Sequence, residues 1–372
     1  MLIVCTVISI IISNSAFAEN YIHFWHAHID LSFSFVDLNL SVEHWVNDGL
    51  MAIFFLLVGL EIERELYFGE LSTMRTAMLP VLAAIGGMVV PALIHFSLNE
   101  GTVTESGFGI PMATDIAFAL GILSLAGKGV PVSLKIFLTA LAIIDDLGAI
   151  VVIAIFYGQS FSILYLAIAL GIFFLLFFAG KRKMNHLSVY LLGGVVMWYC
   201  MMQSGIHSAI AGVLLAFAIP FHRSDEKNIS LKLQHFLHYP VAYFILPLFA
   251  LANTAIIIPP DPVQTLSGKN SLGIIAGLVL GKFIGIFFVT YAAVKMKFGA
   301  LASELRWRHI LGISVLGGIG FTMSIFIANL AFTDPEIVTA SKISILVASA
   351  ISAIAGLIIL TLPRSSTNNH RH

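Results

Sequence analysis

The sequence predicts an all-α polytopic membrane protein with about twelve transmembrane helices. Three observations predict this class: 59% of the 372 residues are hydrophobic, only 10% are charged, and the mean hydropathy is +0.98. A soluble protein of this size carries about 25% charged residues. The net charge of −1 offers no broad field for nucleic acid. The two cysteines, Cys5 and Cys200, lie in apolar runs and imply no disulfide framework.

Apolar windows separated by polar or turn-rich segments define the predicted spans. The whole chain, 1–372, is one integral membrane domain, with an outer loop or hairpin at 19–43 and a flexible C-terminal tail at 364–372. The spans are predicted at 1–18, 44–60, 77–98, 108–126, 134–156, 161–180, 187–202, 205–221, 236–258, 272–293, 309–331 and 339–362.

The basic residues predict the orientation of these spans. Of the 19 Lys and Arg residues, 16 lie in the loops after even-numbered spans or in the C-terminal tail. The loops after odd-numbered spans hold only Lys269 and Lys342, and Lys282 lies inside the tenth span. Because basic loops stay in the cytoplasm, we expect the loops after even-numbered spans and the C-terminus to be cytoplasmic. The residues on that side are Arg64, Arg75, Lys128, Lys135, Lys181, Arg182, Lys183, Arg223, Lys227, Lys232, Lys295, Lys297, Arg306, Arg308, Arg364 and Arg371.

The first eighteen residues have two interpretations. They end in Ala16-Phe17-Ala18, which is typical of a signal-peptide cleavage site, but the first basic residue is Arg64, so no basic n-region precedes the apolar run. We favour a retained first span. Cleavage would leave eleven spans with the same sidedness.

The outer segment 29–42 alternates apolar and polar residues, which predicts a small β-hairpin with a turn near Val36 and Asp37. Such a hairpin either pairs with its copy in a second protomer or folds as an ordered loop on its own chain. His23, His26 and His28 lie just before it. A polar interfacial loop explains these histidines better than a metal site does.

Four ionisable residues lie at membrane depth. Asp145 and Asp146 occupy the centre of the span 134–156, Asp115 lies in span 4, and Lys282 lies at the centre of span 10. A single charge at that depth costs roughly 2.5–3.5 kcal/mol. One Asp–Lys pair serves to hold helices together, but two further aspartates then remain buried. We therefore expect one shared polar site.

The two adjacent aspartates point about 100° apart on a helix. One of them is expected to pair with Lys282, and the other to face a water-filled cavity. Two such carboxylates titrate as a coupled unit. A hard monovalent cation such as Na⁺ prefers oxygen ligands, as other hard cations do, and the hydroxyls of Thr114 and Thr139 are candidate additional ligands.

Spans 4 and 11 contain helix breakers at membrane depth, in 107–121 and 312–326. Unwound backbone is tolerated there only where it is buried in protein or lines a cavity. We expect Asp115 to neutralise facing helix N-termini and Lys282 to neutralise facing C-termini. Glycine-rich segments in corresponding halves are typical of a transporter site built from inverted repeats. Close helix packing is the alternative explanation of the glycines.

From about Trp45 to the last span, the chain resembles the NhaA family of bacterial sodium/proton antiporters. The resemblance rests on long matches at 45–61, 113–121 (ATDIAFALG), 134–150 (LKIFLTALAIIDDLGAI), 204–212 (SGIHSAIAG), 280–286 (LGKFIGI) and 318–332 (GIGFTMSIFIANLAF).

The resemblance implies a fold with inverted repeats, in which spans 4 and 11 are unwound and cross at mid-membrane. It implies that Asp146 is the principal ion-binding carboxylate, that Asp145 pairs with Lys282 and shares binding of Na⁺ and proton exchange, and that Asp115 and Thr114 lie at the crossing. The family exports one Na⁺ or Li⁺ and takes in two protons. These expectations describe an electrogenic transporter of the bacterial inner membrane, not an enzyme, without a cofactor and with the lipid bilayer and a second protomer as partners.

Family members are activated at alkaline pH through a cluster on the cytoplasmic side. The matching residues here are Glu61, Arg64, Glu65, His207, His235 and His238. Histidine titrates in the relevant range, although each of these histidines is equally explained as a loop or helix-end group without a sensing role. The sequence departs from well-known members at Glu63, where they carry Lys, and at Gln234, where they carry Glu. Both changes bear on the threshold of pH activation.

Other functions explain the buried charges less well. A retinal-type photoprotein pairs Lys with Asp but needs only seven spans and an aromatic pocket around Lys282. An intramembrane aspartyl protease needs two aspartates that face one water, and adjacent Asp145 and Asp146 diverge. The nearest alternative is another monovalent cation/proton exchanger, or a sodium-coupled symporter on a similar fold.

Overall fold

The computed structural model describes residues 1–33, 36–127, 130–158, 161–182, 184–221 and 228–362. Short 3₁₀-helices at Glu70–Ser72 and Glu105–Met112 precede α4 and α5. The α-helices are α1 (Leu2–Ser13), α2 (Ala18–His26), α3 (Val42–Phe68), α4 (Met74–Asn99), α5 (Ile116–Leu125), α6 (Val132–Phe156), α7 (Ile163–Lys181), α8 (Leu187–Ser204), α9 (Ile210–Ala218), α10 (Ile229–Asn253), α11 (Pro262–Ser267), α12 (Lys269–Lys295), α13 (Trp307–Leu316), α14 (Phe321–Ala331) and α15 (Pro335–Thr361). π-Helical turns at Trp45–Leu50, Val241–Ile245 and Gly277–Gly281 lie within α3, α10 and α12.

Eight of these helices are long and apolar enough to cross a membrane, namely α3, α4, α6, α7, α8, α10, α12 and α15. Three bent pairs raise the number to eleven if each pair is one span. The chain is therefore a multi-pass membrane protein, while the count of twelve stays a prediction.

Two predicted spans differ from the structure. The span predicted at 205–221 contains only α9, whose nine residues rise about 14 Å, half the thickness of the hydrocarbon core. The helix predicted at 1–18 is wrong beyond Ser13, where the chain turns by 114° into α2. Both segments are apolar enough to suggest a span, but each is interrupted by residues without helical geometry.

Part of the predicted orientation falls on residues that lie outside the described ranges. These are Lys128, Lys183, Arg223, Lys227, Arg364, Arg371 and the tail 364–372.

The outer segment contains an antiparallel pair of short strands, β1 (His28–Asp30) and β2 (Asn39–Ser41). Phe33 and Val36 exchange two backbone hydrogen bonds of 2.9 Å, so Val36 closes the turn, at the first of the two positions near which the sequence predicts it. β2 leads directly into α3. We call this end of the molecule the hairpin face.

The three histidines near the hairpin do not converge. His26 lies 3.4 Å from the Glu43 carboxylate, and the His28 ring lies 3.1 Å from the Asn39 amide oxygen. Among the described residues, no group of three or more His, Cys, Asp or Glu side chains is arranged to hold a metal ion. His26 and His28 each make a polar contact in this loop.

The helices pack in two groups. The first group consists of α1, α3, α7, α8, α9 and α10, and the second of α4, α5, α6, α12, α13, α14 and α15. Glycines allow the closest approaches: Gly212 of α9 packs on the Ala52 carbonyl of α3, and Gly86 of α4 faces Gly285 of α12. The α4–α12 contact fixes the position of Lys282, three residues before Gly285.

The two interruptions predicted in spans 4 and 11 are present and touch one another. The 3₁₀-helix Glu105–Met112 meets α5 at 41°, and α13 meets α14 at 42°. The Asp115 N–H donates to the Ile319 carbonyl at 2.7 Å, which joins the two breaks directly. Both lie in the second group, next to α6. The internal repeat that such a crossing suggests stays a prediction.

Candidate functional site

Helix α6 carries Asp145 and Asp146 into the interior, where they are 0% and 1% exposed. The Lys282 ammonium, itself 0% exposed, donates to Oδ2 of Asp145 at 2.5 Å. The Thr114 hydroxyl oxygen lies 2.7 Å from the same oxygen. The structure therefore contains the expected Asp145–Lys282 pair and adds Thr114 to it.

Asp115 connects the two half-helices that begin at the crossing. Its carboxylate caps α5 by accepting from the Phe118 N–H at 2.9 Å. Its other oxygen accepts from the Thr322 N–H at 3.1 Å and from the Thr322 hydroxyl at 2.5 Å, in the first turn of α14. One carboxylate thus neutralises both helix N-termini, as the sequence predicts.

The sequence also predicts that Lys282 neutralises the facing helix C-termini. The hydrogen-bond partner of its ammonium is the Asp145 carboxylate. The Gly317 carbonyl, at the end of α13, lies 2.9 Å from the Thr114 hydroxyl oxygen, which donates its one proton either to this carbonyl or to Asp145. The role predicted for Lys282 at the C-termini therefore stays a prediction, and the full opposite charge on Asp145 accounts for the position of the ammonium.

Two carboxylate oxygens in the site are buried without a donor. Within the described residues, Oδ1 of Asp145 and Oδ1 of Asp146 accept no hydrogen bond. Asp146 interacts electrostatically with the carboxylates of Asp145, Asp115 and Glu61 as well as with Lys282. Leaving a charged carboxylate in the interior without a partner costs several kcal/mol. The site therefore favours either a proton or a cation on these oxygens.

Two details of the predicted cation site differ from the structure. Asp146 is buried and not open to a water-filled cavity, so access to it requires a change of conformation. Thr139 precedes Asp145 by six residues on α6, a rise of about 9 Å, which is too far for a shared cation with ligand distances near 2.5 Å. Thr114 alone of the two threonines reaches the carboxylates.

Several of the predicted pH-response residues meet at the end of α3 opposite the hairpin face. Glu61 hydrogen-bonds with Gln234 of α10 and interacts electrostatically with Arg64 and Glu65. The Arg64 guanidinium lies 3.0 Å from the Glu65 carboxylate. These residues form a charged cluster between α3 and α10.

His207 is separate from that cluster. Its ring lies 3.1 Å from the Asp48 carboxylate, which belongs to the hairpin end of α3. Asp48 and Glu61 are thirteen residues apart, a separation of about 20 Å along the helix. His235 and His238 lie on α10 near Gln234, but both side chains are exposed. A single cluster containing all three histidines is therefore not present.

Glu63 is buried. Its carboxylate accepts from the Ser230 hydroxyl at 3.0 Å and thereby joins α3 to the first turn of α10. Gln234 lies one turn further along α10. Both residues thus fall in the same contact between α3 and α10.

Residues that sequence reasoning did not assign to the site complete the crossing. Thr322 holds Asp115, and the Ser349 hydroxyl of α15 accepts from the Phe321 N–H at 3.2 Å, at the start of α14. Buried serines recur on one side of α15 at positions 341, 344, 349 and 352. That polar face in a membrane helix is the signal that would have indicated a contact with unwound backbone.

A second buried polar network lies toward the hairpin face. The His95 ring of α4 lies 3.1 Å from the Asn270 amide oxygen of α12, and the Asn270 amide donates to the Ser341 hydroxyl of α15 at 2.8 Å. Asn99, one turn beyond His95, accepts from the Thr104 hydroxyl at 2.7 Å. This network joins three helices of the second group through polar side chains.

Known proteins with similar sequences cover nearly the whole chain. The family model described as Na⁺/H⁺ antiporter 1 matches residues 1–360. A relative named Na(+)/H(+) antiporter NhaA 1 in Flavobacterium johnsoniae is 55% identical over 99% of this chain and 95% of its own. A relative named Na(+)/H(+) antiporter NhaA in Dechloromonas aromatica is 55% identical over 99% of this chain and 94% of its own. Another relative of that name, in Flavobacterium psychrophilum, is 56% identical over 95% of this chain and 90% of its own.

Proposed function

The chain belongs to the Na⁺/H⁺ antiporter 1 family, and from that premise we propose that it exchanges cytoplasmic Na⁺ or Li⁺ for external H⁺ at Asp145 and Asp146. The observation that supports this most directly is the pair of buried, unpartnered oxygens on these adjacent carboxylates. Na⁺ and H⁺ are both cations that satisfy such oxygens. Since both need the same lone pairs, occupancy by one excludes the other.

Exchange follows from this competition. On the cytoplasmic side, Na⁺ displaces protons from Asp146 and Asp145. On the external side, protons return to the carboxylates and release Na⁺. Two carboxylates allow two protons to move inward for each Na⁺ that leaves, which carries one net positive charge inward and makes the cycle electrogenic.

Asp115, Thr114 and Lys282 have supporting roles in this proposal. Asp115 stabilises the crossing of the interrupted helices through its bonds to both N-termini. Thr114 and Lys282 share one oxygen of Asp145, and so leave its other oxygen available to the ion. When Na⁺ or a proton neutralises Asp145, the attraction between Asp145 and Lys282 weakens, which couples ion binding to the packing of α6 on α12.

We propose that alkaline activation resides in the cluster of Glu61, Arg64, Glu65 and Gln234, with His235 and His238 nearby. Glu61 interacts electrostatically with Asp146, so the charge state of the cluster changes the field at the ion site. His207 is a separate candidate at the hairpin face through its contact with Asp48. The pH profile of exchange in His235→Ala and His207→Ala separates the two positions.

The remaining parts of the proposal concern the membrane and the partner. The distribution of basic residues supports a cytoplasmic C-terminus, and the similarity to bacterial antiporters supports the bacterial inner membrane as the location. The edges of β1 and β2 offer backbone groups for pairing with a second protomer. Deletion of the hairpin is expected to weaken the dimer.

The test of function is Na⁺-dependent collapse of a preset proton gradient in everted membrane vesicles. We expect collapse by the wild type, loss of more than a hundredfold in rate for Asp146→Asn, and an unchanged rate for Asp334→Asn, a helix-capping carboxylate at the start of α15. A symporter would not release protons when Na⁺ alone is added, and an exchanger of another cation would respond to K⁺ instead. Wild-type exchange by Asp146→Asn contradicts the assignment of this residue.

A further inference from the structure

The two helix groups are joined by polar contacts at the hairpin face. The Asn329 amide of α14 donates to the Asn253 amide oxygen of α10 at 2.6 Å, so this bond connects the second group to the first. The Asn253 amide in turn donates to the Asn47 oxygen of α3 at 2.7 Å. Asn253 is 0% exposed, and a buried amide that loses its partners is costly.

An ion pair joins the same two groups at the same face. The Lys342 ammonium of α15 lies 3.7 Å from the Glu43 carboxylate in the first turn of α3. Lys342 is 7% exposed, so its charge depends on this partner more than a surface lysine would. The ion pair involves α15 of the second group, whereas the asparagine contact involves α14. The two contacts share no residue, so each is expected to act independently of the other.

The polar contacts lie above an apolar layer that separates the carboxylates from the hairpin face. Phe55 of the first group packs against Phe326 of the second, with ring centroids 5.4 Å apart. Ile150 and Ile153 of α6 line the same layer together with His207. Ile153 follows Asp146 by seven residues, so the layer begins within about 10 Å of the ion site on this side.

We propose that Asn47, Asn253, Asn329, Glu43 and Lys342 form a latch that holds the two helix groups closed at the hairpin face. Apolar surfaces such as the Phe55–Phe326 layer separate and close without directional preference, since a membrane offers them lipid in exchange. Hydrogen bonds and an ion pair between the groups have one geometry, so they specify one closed arrangement. Opening a path from Asp146 to this face breaks the contacts between Asn329 and Asn253 and between Lys342 and Glu43.

The latch rests on the proposed function only because the path that it closes leads to the proposed ion site. Its test therefore measures opening of the path and does not measure transport. Ile153→Cys, in a background with Cys5 and Cys200 replaced by alanine, reports opening through the rate at which the introduced thiol reacts with a charged, membrane-impermeant thiosulfonate. The reagent is applied to right-side-out vesicles, and separately to everted vesicles to establish the side of entry. The reaction needs no Na⁺, so an inactive transporter still gives a result.

We expect Asn329→Ala to raise the reaction rate of the introduced thiol about fivefold, the factor that corresponds to loss of one buried hydrogen bond. Asn253→Ala breaks both asparagine contacts and is expected to raise the rate at least as much. Lys342→Met is expected to raise it independently, so that its effect multiplies that of Asn329→Ala.

The matched control is Asn270→Ala, which removes a buried asparagine whose partners, His95 and Ser341, both belong to the second group. It is expected to lower the melting temperature without changing the reaction rate. Should Asn329→Ala fail to fold, Asn329→Ser is used, because its side chain is too short to reach Asn253. Wild-type reaction rates in the folded Asn329 and Asn253 variants overturn the latch, as does an equal increase in Asn270→Ala.

Discussion

Asp115 and Asp146 are both buried aspartates of the second helix group, but their surroundings differ. Asp115 accepts hydrogen bonds from Phe118 and from two groups of Thr322. Asp146 has an oxygen that accepts none from the described residues. A carboxylate that the protein fully satisfies stabilises the fold, whereas one that the protein leaves unsatisfied is available to an ion. Depth in the membrane alone does not distinguish the two roles.

The largest expected effect concerns the pH dependence of Na⁺ binding, which involves the unsatisfied carboxylate Asp146 and not Asp115. Under the proposed competition of Na⁺ with protons at Asp145 and Asp146, the apparent affinity for Na⁺ is expected to fall about tenfold per unit of decreasing pH for each proton displaced, or up to about a hundredfold for two. Isothermal titration at several pH values, in buffers of different ionisation enthalpy, measures affinity and proton release together. A flat affinity without proton release would contradict competition at these carboxylates.

Lys282→Ala is expected to destabilise the protein by about 3–5 kcal/mol, because it leaves the charge of Asp145 buried beside Thr114 without its ammonium partner. The measurement is thermal melting in detergent. The control is the double variant with Asp145→Asn, which removes the unpaired charge and is expected to recover a large part of the loss. Equal melting of Lys282→Ala and wild type would show that the ion pair does not support the fold.

Asp115→Ala is expected to destabilise the protein by about 3 kcal/mol, since the donors at two helix N-termini lose their acceptor. Asp146→Asn, by contrast, removes a charge that the protein leaves unsatisfied and is expected to leave the melting temperature unchanged or raised. Comparing the two variants by thermal melting tests the contrast directly. A larger loss for Asp146→Asn than for Asp115→Ala would reverse the assignment of roles.

Thr322→Val gives the smallest expected effect, about 1–2 kcal/mol, because valine matches the shape of threonine but cannot donate to Asp115. Thr322→Ser retains the hydroxyl and is expected to recover most of the stability. If the serine variant is no better than the valine variant, the Thr322 hydroxyl does not hold Asp115.

The sequence alone located most of the membrane helices and the residues of the carboxylate site. Continuous apolar segments such as α6 and α15 are determined by composition, since a bilayer requires each backbone polar group to be satisfied within its helix. Buried charges are rare and costly in that setting, so Asp115, Asp145, Asp146 and Lys282 stand out without any structure. The glycine and proline positions also indicated both interruptions.

Contacts between distant helices could not be predicted in the same way. The rotation of α6 and α12 about their axes decides which oxygen of Asp145 accepts from Lys282. It also decides which carboxylate oxygens have no donor. The separation of His207 from Glu61 likewise depends on how α3 lies in the molecule, with Asp48 and Glu61 near opposite ends. The polar residues Glu63 and Gln234 are buried between α3 and α10, and no local pattern in the sequence indicates that contact.

The sequence by itself determined that this chain crosses a membrane and which charged residues lie within it, because transfer free energies act residue by residue. Only the tertiary structure decided which of those charges are satisfied. Satisfaction depends on a few donors brought within about 3 Å from helices far apart in the chain, and no local pattern specifies those distances. The distinction between a buried aspartate whose oxygens are all satisfied and one that is left an unsatisfied oxygen is therefore a property of packing.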